Sequence, residues 1–300
     1  GVSQNNFMGT GRRLVFSTNL SSRRADFNLS FTDPRVFDST ISLGIDAFNR
    51  KTNYYSYKAK KTGAGFRLGK SLSEHDWAGI NYNFANTEIT DVVLASSYLK
   101  NETRVTSRIS PTLIRDTRDN FLNPSSGSRH VVRFDLAGLG GTKFHRMSYE
   151  TSHYWPIVGK LVGMLHGSIS WADGYGDDDL PSFEKYYMGG PKSLRGYTIK
   201  NIGPKDGSGN PLGGNQSLLV NAELQYPFTK GLRGFLFYDR GNLYGGGNDI
   251  STTSTTWDLA NMRDSIGAGV RFLSPMGPLG FAYGIKLDQA TGEESGEFHF

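Results

Sequence analysis

The residue best placed to do chemistry is Arg195, in the middle of a long loop between two patterned segments. The loop runs from about residue 173 to 215 and contains the stretch Gly189-Gly190-Pro191-Lys192-Ser193-Leu194-Arg195-Gly196-Tyr197. Its prolines restrict φ, while its glycines permit tight turns. A loop this long is usually functional or disordered, and its many apolar residues argue against disorder. We therefore expect the loop to fold back and bury Arg195, which then needs a carboxylate partner. The alternative is a solvated loop cation.

The remaining chemical motifs are incomplete. Asp177-Asp178-Asp179 lacks the spaced oxygen ligands of a calcium loop and is typical of a solvated outer loop. The stretch from Gly65 to Ser71 resembles a phosphate-binding loop, but Ala64 stands where the first glycine should be and no helix follows. The chain has neither a Gly-x-Ser-x-Gly elbow nor a His-Glu-x-x-His motif. The sequence therefore predicts no catalytic residue, no metal site and no cofactor.

Composition excludes several further classes. The chain has no cysteine, which rules out disulfides, thiolate catalysis and cysteine metal ligands. The net charge of +5 is spread along the chain rather than clustered with aromatics, so no nucleic-acid partner is indicated. No run of 18 apolar residues predicts a membrane-spanning helix. The mean hydropathy of −0.44 suits a soluble protein, but a transmembrane barrel also averages to such a value because its strands alternate.

The elements that must position Arg195 are β-strands, because apolar residues recur at every second position almost throughout. This period of two is typical of half-buried strands and not of amphipathic helices. The clearest apolar sets are Leu218, Val220, Ala222, Leu224 and Tyr226; Ile266, Ala268, Val270 and Phe272; and Leu279, Phe281, Tyr283, Ile285 and Leu287.

The lengths of the connections favour one architecture. Short turns are predicted at about 7–12, 33–39, 70–76, 119–127, 156–160, 227–231 and 274–278. Mostly longer and more polar connections alternate with them, at about 21–25, 50–62, 86–106, 138–143, 173–215, 244–264 and 288–297. Short turns at one end and long loops at the other are typical of an outer-membrane barrel. We predict an all-β fold, a transmembrane antiparallel up-and-down β-barrel.

Strand counting suggests that the sequence is part of a longer barrel protein. About 13 segments are long enough to cross a bilayer, and residues 1–6 and 298–300 add two partial strands. One further ascending strand before residue 1 gives about 16, an even number as bacterial barrels require. We expect residues 1–300 to form one transmembrane β-barrel domain, cut at both ends, with loop 173–215 folded into its lumen. Residues 91–99 are predicted to form one or two helical turns.

The motif around Arg195 resembles the sixth outer loop of the BamA family, the outer-membrane β-barrel assembly and translocation proteins. The similarity continues in order along nearly the whole chain, through Asn6-Phe7-Met8-Gly9-Thr10-Gly11, Asp116-Thr117-Arg118-Asp119, Ile202-Gly203-Pro204, Asn221-Ala222-Glu223-Leu224-Gln225-Tyr226-Pro227, Phe237-Tyr238-Asp239-Arg240-Gly241 and Ser274-Pro275-Met276-Gly277-Pro278-Leu279. One departure is Leu-Arg-Gly-Tyr at 194–197, where Val-Arg-Gly-Phe is the commoner form.

The resemblance implies a 16-stranded barrel that inserts other barrel proteins into the bacterial outer membrane. It implies that Leu194, Arg195, Gly196 and Tyr197 anchor the loop inside the lumen, with Glu223 and Asp239 as the carboxylate partners of Arg195. Alternation supports this placement, because Glu223 and Asp239 both face away from the lipid-facing set. The alternative for the two acids is a pair of lumen charges facing water.

The resemblance also implies a mechanism without covalent chemistry, and partners. A seam between the first and last strands would offer unpaired backbone groups to an incoming strand, and Phe298 and Phe300 mark the start of the last strand. The implied partners are unfolded outer-membrane β-barrel clients, outer-membrane lipid, and accessory lipoproteins that bind periplasmic domains preceding this chain. Three alternatives remain open: a secretion barrel of the same superfamily, a passive porin and an outer-membrane barrel enzyme.

Overall fold

The computed structural model describes all residues except 55–56, 93–99, 206–208, 246–256, 275–276 and 290–291. Fifteen β-strands make up almost all of its regular structure: β1 Val2–Phe7, β2 Arg12–Ser21, β3 Arg24–Asp33, β4 Ile41–Asn53, β5 Lys58–Ser71, β6 Asp76–Thr90, β7 Glu102–Asp116, β8 Gly127–Ala137, β9 Phe144–Val158, β10 Leu161–Gly174, β11 Gln216–Pro227, β12 Leu232–Tyr244, β13 Arg263–Ser274, β14 Gly277–Lys286 and β15 Gly296–His299. Two 3-10 turns, Val36–Asp38 and Ser182–Glu184, complete it.

The strands form one antiparallel sheet in chain order, from β1 to β15. This confirms the predicted all-β, up-and-down fold class. Among the described residues, no helix has the length and apolar content needed to cross a membrane. The helical turns predicted for 91–99 fall largely outside the described residues, and Asp91 and Val92 belong to no helix.

Two predicted connections are wrong because the strands run through them. The interval 50–62 is mostly strand: β4 and β5 pair as far as Asn53 and Lys58. The interval 21–25 shrinks to two residues between Ser21 and Arg24, which pair with each other. Both intervals are rich in charged and polar residues, and that composition suggested loops. The backbone ladder supplies the hydrogen bonds of a strand whatever its side chains are, so polar strand ends lengthen a hairpin without apolar alternation.

The two faces of the sheet differ as alternation predicts. On neighbouring positions of β12, Leu236 and Tyr238 are exposed, while Phe237 and Asp239 are buried. In β11, Leu224 is exposed and Glu223 is buried. The exposed face is apolar along these strands, and the buried face carries the charges. A soluble protein usually shows the reverse, with apolar residues buried and charged residues exposed. Here the ionisable side chains of β11 and β12 lie on the face that the long loop covers.

The chain divides into two compact units. The first contains residues 1–114, 132–147 and 172–184, and the second contains 115–131, 148–171 and 185–300. Each unit has its own buried charge cluster. A cluster around Arg195, which includes Glu223 and Asp239, lies in the second unit, and a cluster around Glu184 lies in the first.

Candidate functional site

The motif of the long loop is held by its own backbone. Gly189 and Gly190 have φ of +110° and +99°. Residues with a side chain rarely adopt such values, so glycine is required at both positions. The N–H of Gly190 donates to the carbonyl of Leu194 at 3.1 Å, and the N–H of Gly189 donates to Ser193 Oγ at 3.0 Å. The turn therefore presents Arg195 in a fixed direction.

Apolar packing buries the residues on both sides of Arg195. Leu194 and Tyr197 belong to a cluster that joins the loop to β11 and β12; its other buried members are Met188, Ile202, Leu219 and Leu243. Leu194 is completely buried. Burying a leucine or tyrosine side chain contributes about 1.5–3 kcal/mol. This packing offsets part of the cost of removing the guanidinium from water.

The Arg195 side chain makes a two-sided salt bridge. Its Nε and Nη2 donate to the two oxygens of Asp239 at 2.7 and 2.6 Å, and its Nη1 donates to Glu223 Oε1 at 2.5 Å. The backbone N–H of Arg195 also donates to Asp239 at 3.0 Å. The side chains are only 6%, 0% and 1% exposed for Arg195, Asp239 and Glu223. The structure thus brings together the three charged residues that the sequence named.

A second arginine completes the cluster and was not identified from the sequence. Arg271 on β13 donates to both oxygens of Glu223, at 2.8 and 2.7 Å. The guanidinium carbon of Arg195 lies 3.7 Å from the ring centre of Phe237, and that of Arg271 lies 4.1 Å from Phe235. Two cations face two carboxylates, so the cluster is neutral. A signal did exist, because alternation puts Arg271 on the face opposite the apolar set of β13.

The motif also contacts the last two strands. The N–H of Gly196 donates to Nε2 of His299 on β15 at 2.9 Å. Its neighbour on β14 is Gly284, where a Cβ would lie 2.5 Å from Gly196 N. Phe298 and Phe300, named from the sequence as seam residues, are 55% and 90% exposed, so the side chain of this strand that meets the motif is His299. A single histidine gives no spacing signal, and the sequence did not reveal it.

Gly284→Ala tests this close approach. A methyl group there would overlap Gly196, so we expect the motif to be displaced and the free energy of unfolding to fall by about 1–3 kcal/mol. Urea unfolding in phospholipid vesicles measures the change. Gly280→Ala is the matched control, because a Cβ at Gly280 on the same strand would lie 3.6 Å from its nearest neighbour. Equal midpoints for the two variants would contradict the close contact.

The buried hydroxyl of Tyr197 has hydrogen-bond acceptors. Its single O–H is shared between two acceptors, the carboxylate of Asp288 and the carbonyl of Asp264 at 3.1 Å. Burial, together with this carboxylate, raises the pKa of the Tyr197 phenol well above its ordinary value. The hydroxyl therefore stays protonated and acts as a donor that holds the loop.

Comparison with known proteins identifies the family. The model of the Omp85 superfamily domain matches residues 6–300. The chain belongs to the Omp85 superfamily. It is 30% identical to the outer membrane protein assembly factor BamA of Nitratidesulfovibrio vulgaris and 29% identical to that of Neisseria meningitidis, in each case over 100% of this chain. The fold matches the crystal structure of BamA from Haemophilus ducreyi lacking POTRA domains 1-3, with a TM-score of 0.89 at 22% identity over 99% of this chain.

This Omp85 domain spans only part of those proteins. It corresponds to 38% and 44% of the two curated relatives and to 65% of the crystallised chain. The family, the relatives and the fold make it a β-barrel protein of the bacterial outer membrane. The exposed apolar face of its strands is the face that such a barrel turns to lipid.

The first unit of the Omp85 domain holds a second buried ion cluster, centred on Glu184. Its carboxylate accepts from Lys61 on β5 at 3.1 Å, from Arg108 on β7 at 3.1 Å and from Arg146 on β9 at 2.7 Å. Burial alone would raise the pKa of Glu184, but the three cations outweigh it and bring the pKa to about 2. Glu184 lies in the loop, 11 residues before Arg195. The sequence analysis missed it because its partners come from three distant strands.

No group of three or more histidine, cysteine, aspartate or glutamate side chains that could hold a metal ion occurs in the described part of the chain. The charged clusters found here are ion pairs between amino acids. What they can do chemically is hold a loop and strands in one arrangement.

Proposed function

We propose that this chain is the barrel domain of an outer-membrane insertase, which folds β-barrel proteins and inserts them into the bacterial outer membrane. The observation that carries the proposal is the junction of the Arg195 cluster with the last strand: Arg195 binds Glu223 and Asp239, while the adjacent Gly196 binds His299. The names of the relatives, outer membrane protein assembly factors, point to the same activity.

In this proposal residues 1–300 are one barrel domain, and Leu194, Arg195, Gly196 and Tyr197 anchor the long loop (about residues 173–215) within its lumen. The anchor fixes β14 and β15 from the inside. Without this contact β15 could shift its position relative to β14. The hydrogen bond between Gly196 and His299 holds β15 in one position. That role suits a buried charge network, because such a network adds little net stability over apolar packing, whereas an arrangement that separates its partners is strongly disfavoured.

The proposed reactive element is the seam where the first and last strands of the complete barrel meet. On that side of the described sheet β15 pairs with β14 through four residue pairs. An edge strand offers N–H and C=O groups to another strand. Lipid cannot satisfy those groups, so an incoming strand that pairs with this edge enters the membrane with less cost than one that enters alone. Phe298 and Phe300, whose side chains are exposed, belong to this seam strand.

The proposed activity needs no covalent chemistry and no cofactor, and we infer that the domain is not an enzyme. The ionised groups of the Arg195 cluster are engaged with one another, so none stands ready as a nucleophile or general base. The proposed partners are unfolded outer-membrane β-barrel clients, the surrounding lipid, and accessory lipoproteins bound to domains outside this chain.

The test is reconstitution of the full-length protein in phospholipid vesicles, with a urea-unfolded client barrel added. We expect the protein to raise the folding rate of the client at least about tenfold over empty vesicles, since a templating edge lowers the insertion barrier. Heat-modifiable gel migration of the client measures folding. Large, steady conductance without acceleration would indicate a porin, and export of one dedicated partner would indicate a secretion barrel; either result overturns the proposal.

A further inference from the structure

The turn between β7 and β8 is fastened to the buried face of the sheet by Arg233. This residue lies on β12 and is 6% exposed. Its Nη1 donates to the carbonyl of Pro124 at 2.8 Å, and its Nη2 lies 3.5 Å from the carbonyl of Asn123. The turn itself is kept in shape by Asp119, which accepts from the N–H groups of Ser125 and Ser126 at 2.9 and 3.1 Å. All of these residues lie in the second unit.

One side chain connects this fastening to the Arg195 cluster. Gln225, which is 2% exposed, accepts from Arg233 Nη1 at 2.5 Å and donates through Nε2 to Glu223 Oε2 at 2.6 Å. An amide has one accepting and one donating end, and here each end has the matching partner. Glu223 in turn binds Arg195. Hydrogen bonds therefore run without a gap from the turn at Pro124, through Arg233, Gln225 and Glu223, to the loop motif at Arg195.

Burial of the Arg233 side chain does not maximise the free energy of unfolding. Its Nε is buried without a hydrogen-bond partner, and the atoms that its guanidinium binds are neutral oxygens of two backbone carbonyls and an amide. Arg271 is a second cation near Arg233, so burying the Arg233 guanidinium costs folding free energy. An apolar residue of similar volume would be cheaper to bury. A costly cation with such fixed geometry is typical of a positioning role.

We propose that Arg233 is a positioning residue of this domain, which couples the turn at 117–126 to the Arg195 motif through Gln225 and Glu223. The turn lies at the end of the sheet that has the short connections, and the motif belongs to the long loop from the opposite end. A change in the turn would then alter how rigidly the motif is held, and a change in the motif would do the same to the turn. The inference rests on the proposed function for its effect on client assembly, but the coupling itself does not.

The experiment uses the full-length protein in vesicles and hydrogen–deuterium exchange of two segments, 117–126 and 189–199. In Arg233→Gln we expect exchange to rise about tenfold in both segments, because a coupled network transmits the loss. In Gln225→Met, which leaves the Arg233–Pro124 bond in place, we expect the rise in 189–199 and a smaller one in 117–126. Client folding should slow by about three- to tenfold in both variants.

The matched control is Arg240→Gln on the same strand. Arg240 lies on the opposite face of β12, pairs with Asp264 near the surface and has no bond to the turn, all of whose residues are described, so its loss should leave 117–126 unchanged and should not produce a rise in both segments. The conservative variant Arg233→Lys keeps the charge and one donor nitrogen and should restore part of the protection. A rise confined to 117–126 in Arg233→Gln, or equal effects of Arg233→Gln and Arg240→Gln, would overturn the coupling. If exchange behaves as expected but wild-type protein does not accelerate client folding, the insertase proposal fails and the coupling stands.

Discussion

Arg195→Ala should produce the largest functional loss of any single change in this domain. The substitution leaves Asp239 and Glu223, both almost fully buried, without the cation that lies between them. Breaking a buried ion pair by removing one partner costs about 3–5 kcal/mol, mostly because an uncompensated charge remains. We also expect client folding in vesicles to fall at least about tenfold, since the loop no longer holds Gly196 against His299. Urea unfolding and client folding measure the two effects.

Lys192→Ala is the matched control for this prediction, because Lys192 is a cation of the same loop stretch but is exposed. It should change the free energy of unfolding by less than about 0.5 kcal/mol. Glu223 keeps its pair with Arg271 in this variant, so adding Asp239→Asn to Arg195→Ala removes the charge that is left unpaired, and the double variant should regain part of the lost stability. Normal client levels and growth in cells that rely on Arg195→Ala alone would contradict the functional role.

Much of this architecture could be predicted from the sequence because the controlling patterns are short-ranged. A period of two fixes which residues of a strand share a face, so Glu223 and Asp239 could be placed on the buried face before their neighbours were known. The Gly189-Gly190 turn has the same local character: residues that permit positive φ stand next to each other in the chain. The Arg195 site combined these two local signals with a family resemblance.

The other parts of the site depend on register and on distant strands, which local patterns do not encode. Glu184 meets cations from β5, β7 and β9, and nothing in the spacing of Lys61, Arg108 and Arg146 shows that one carboxylate serves all three. His299 is adjacent to the motif only because β15 pairs with β14 in one register. The prediction of a loop at 50–62 was wrong for a different reason: most residues of the interval are charged or polar, and the buried apolar cluster that Tyr57 and Ala59 join is completed by Ile89 on β6, which is distant in sequence.

The free energy of unfolding should fall at acid pH in part because Glu184 becomes protonated. Its folded pKa of about 2 lies below the ordinary value of 4.5, so the unfolded state takes up a proton first as the pH falls. The stabilisation is complete above about pH 4.5 and is lost as the pH drops toward 2, amounting to roughly 3 kcal/mol. A variant without this carboxylate should lose that part of the pH dependence.

Glu184→Gln therefore tests the second cluster. The amide keeps the shape of the side chain but leaves Lys61, Arg108 and Arg146 without their shared anion, and we expect a loss of about 3–5 kcal/mol at pH 7. Urea unfolding at pH 7 and at pH 3 measures it, and the difference between wild type and variant should shrink at the lower pH.

Glu88→Gln is the control for that experiment, since Glu88 is an exposed carboxylate on β6 in the same unit and should have little effect at either pH. Adding Lys61→Met to Glu184→Gln removes one of the three cations that surround position 184 and should recover part of the loss, because repulsion among the remaining charges is smaller. A difference between wild type and Glu184→Gln that stays constant from pH 7 to pH 3 would mean that the carboxylate acts through packing, and that the three cations do not depend on its charge.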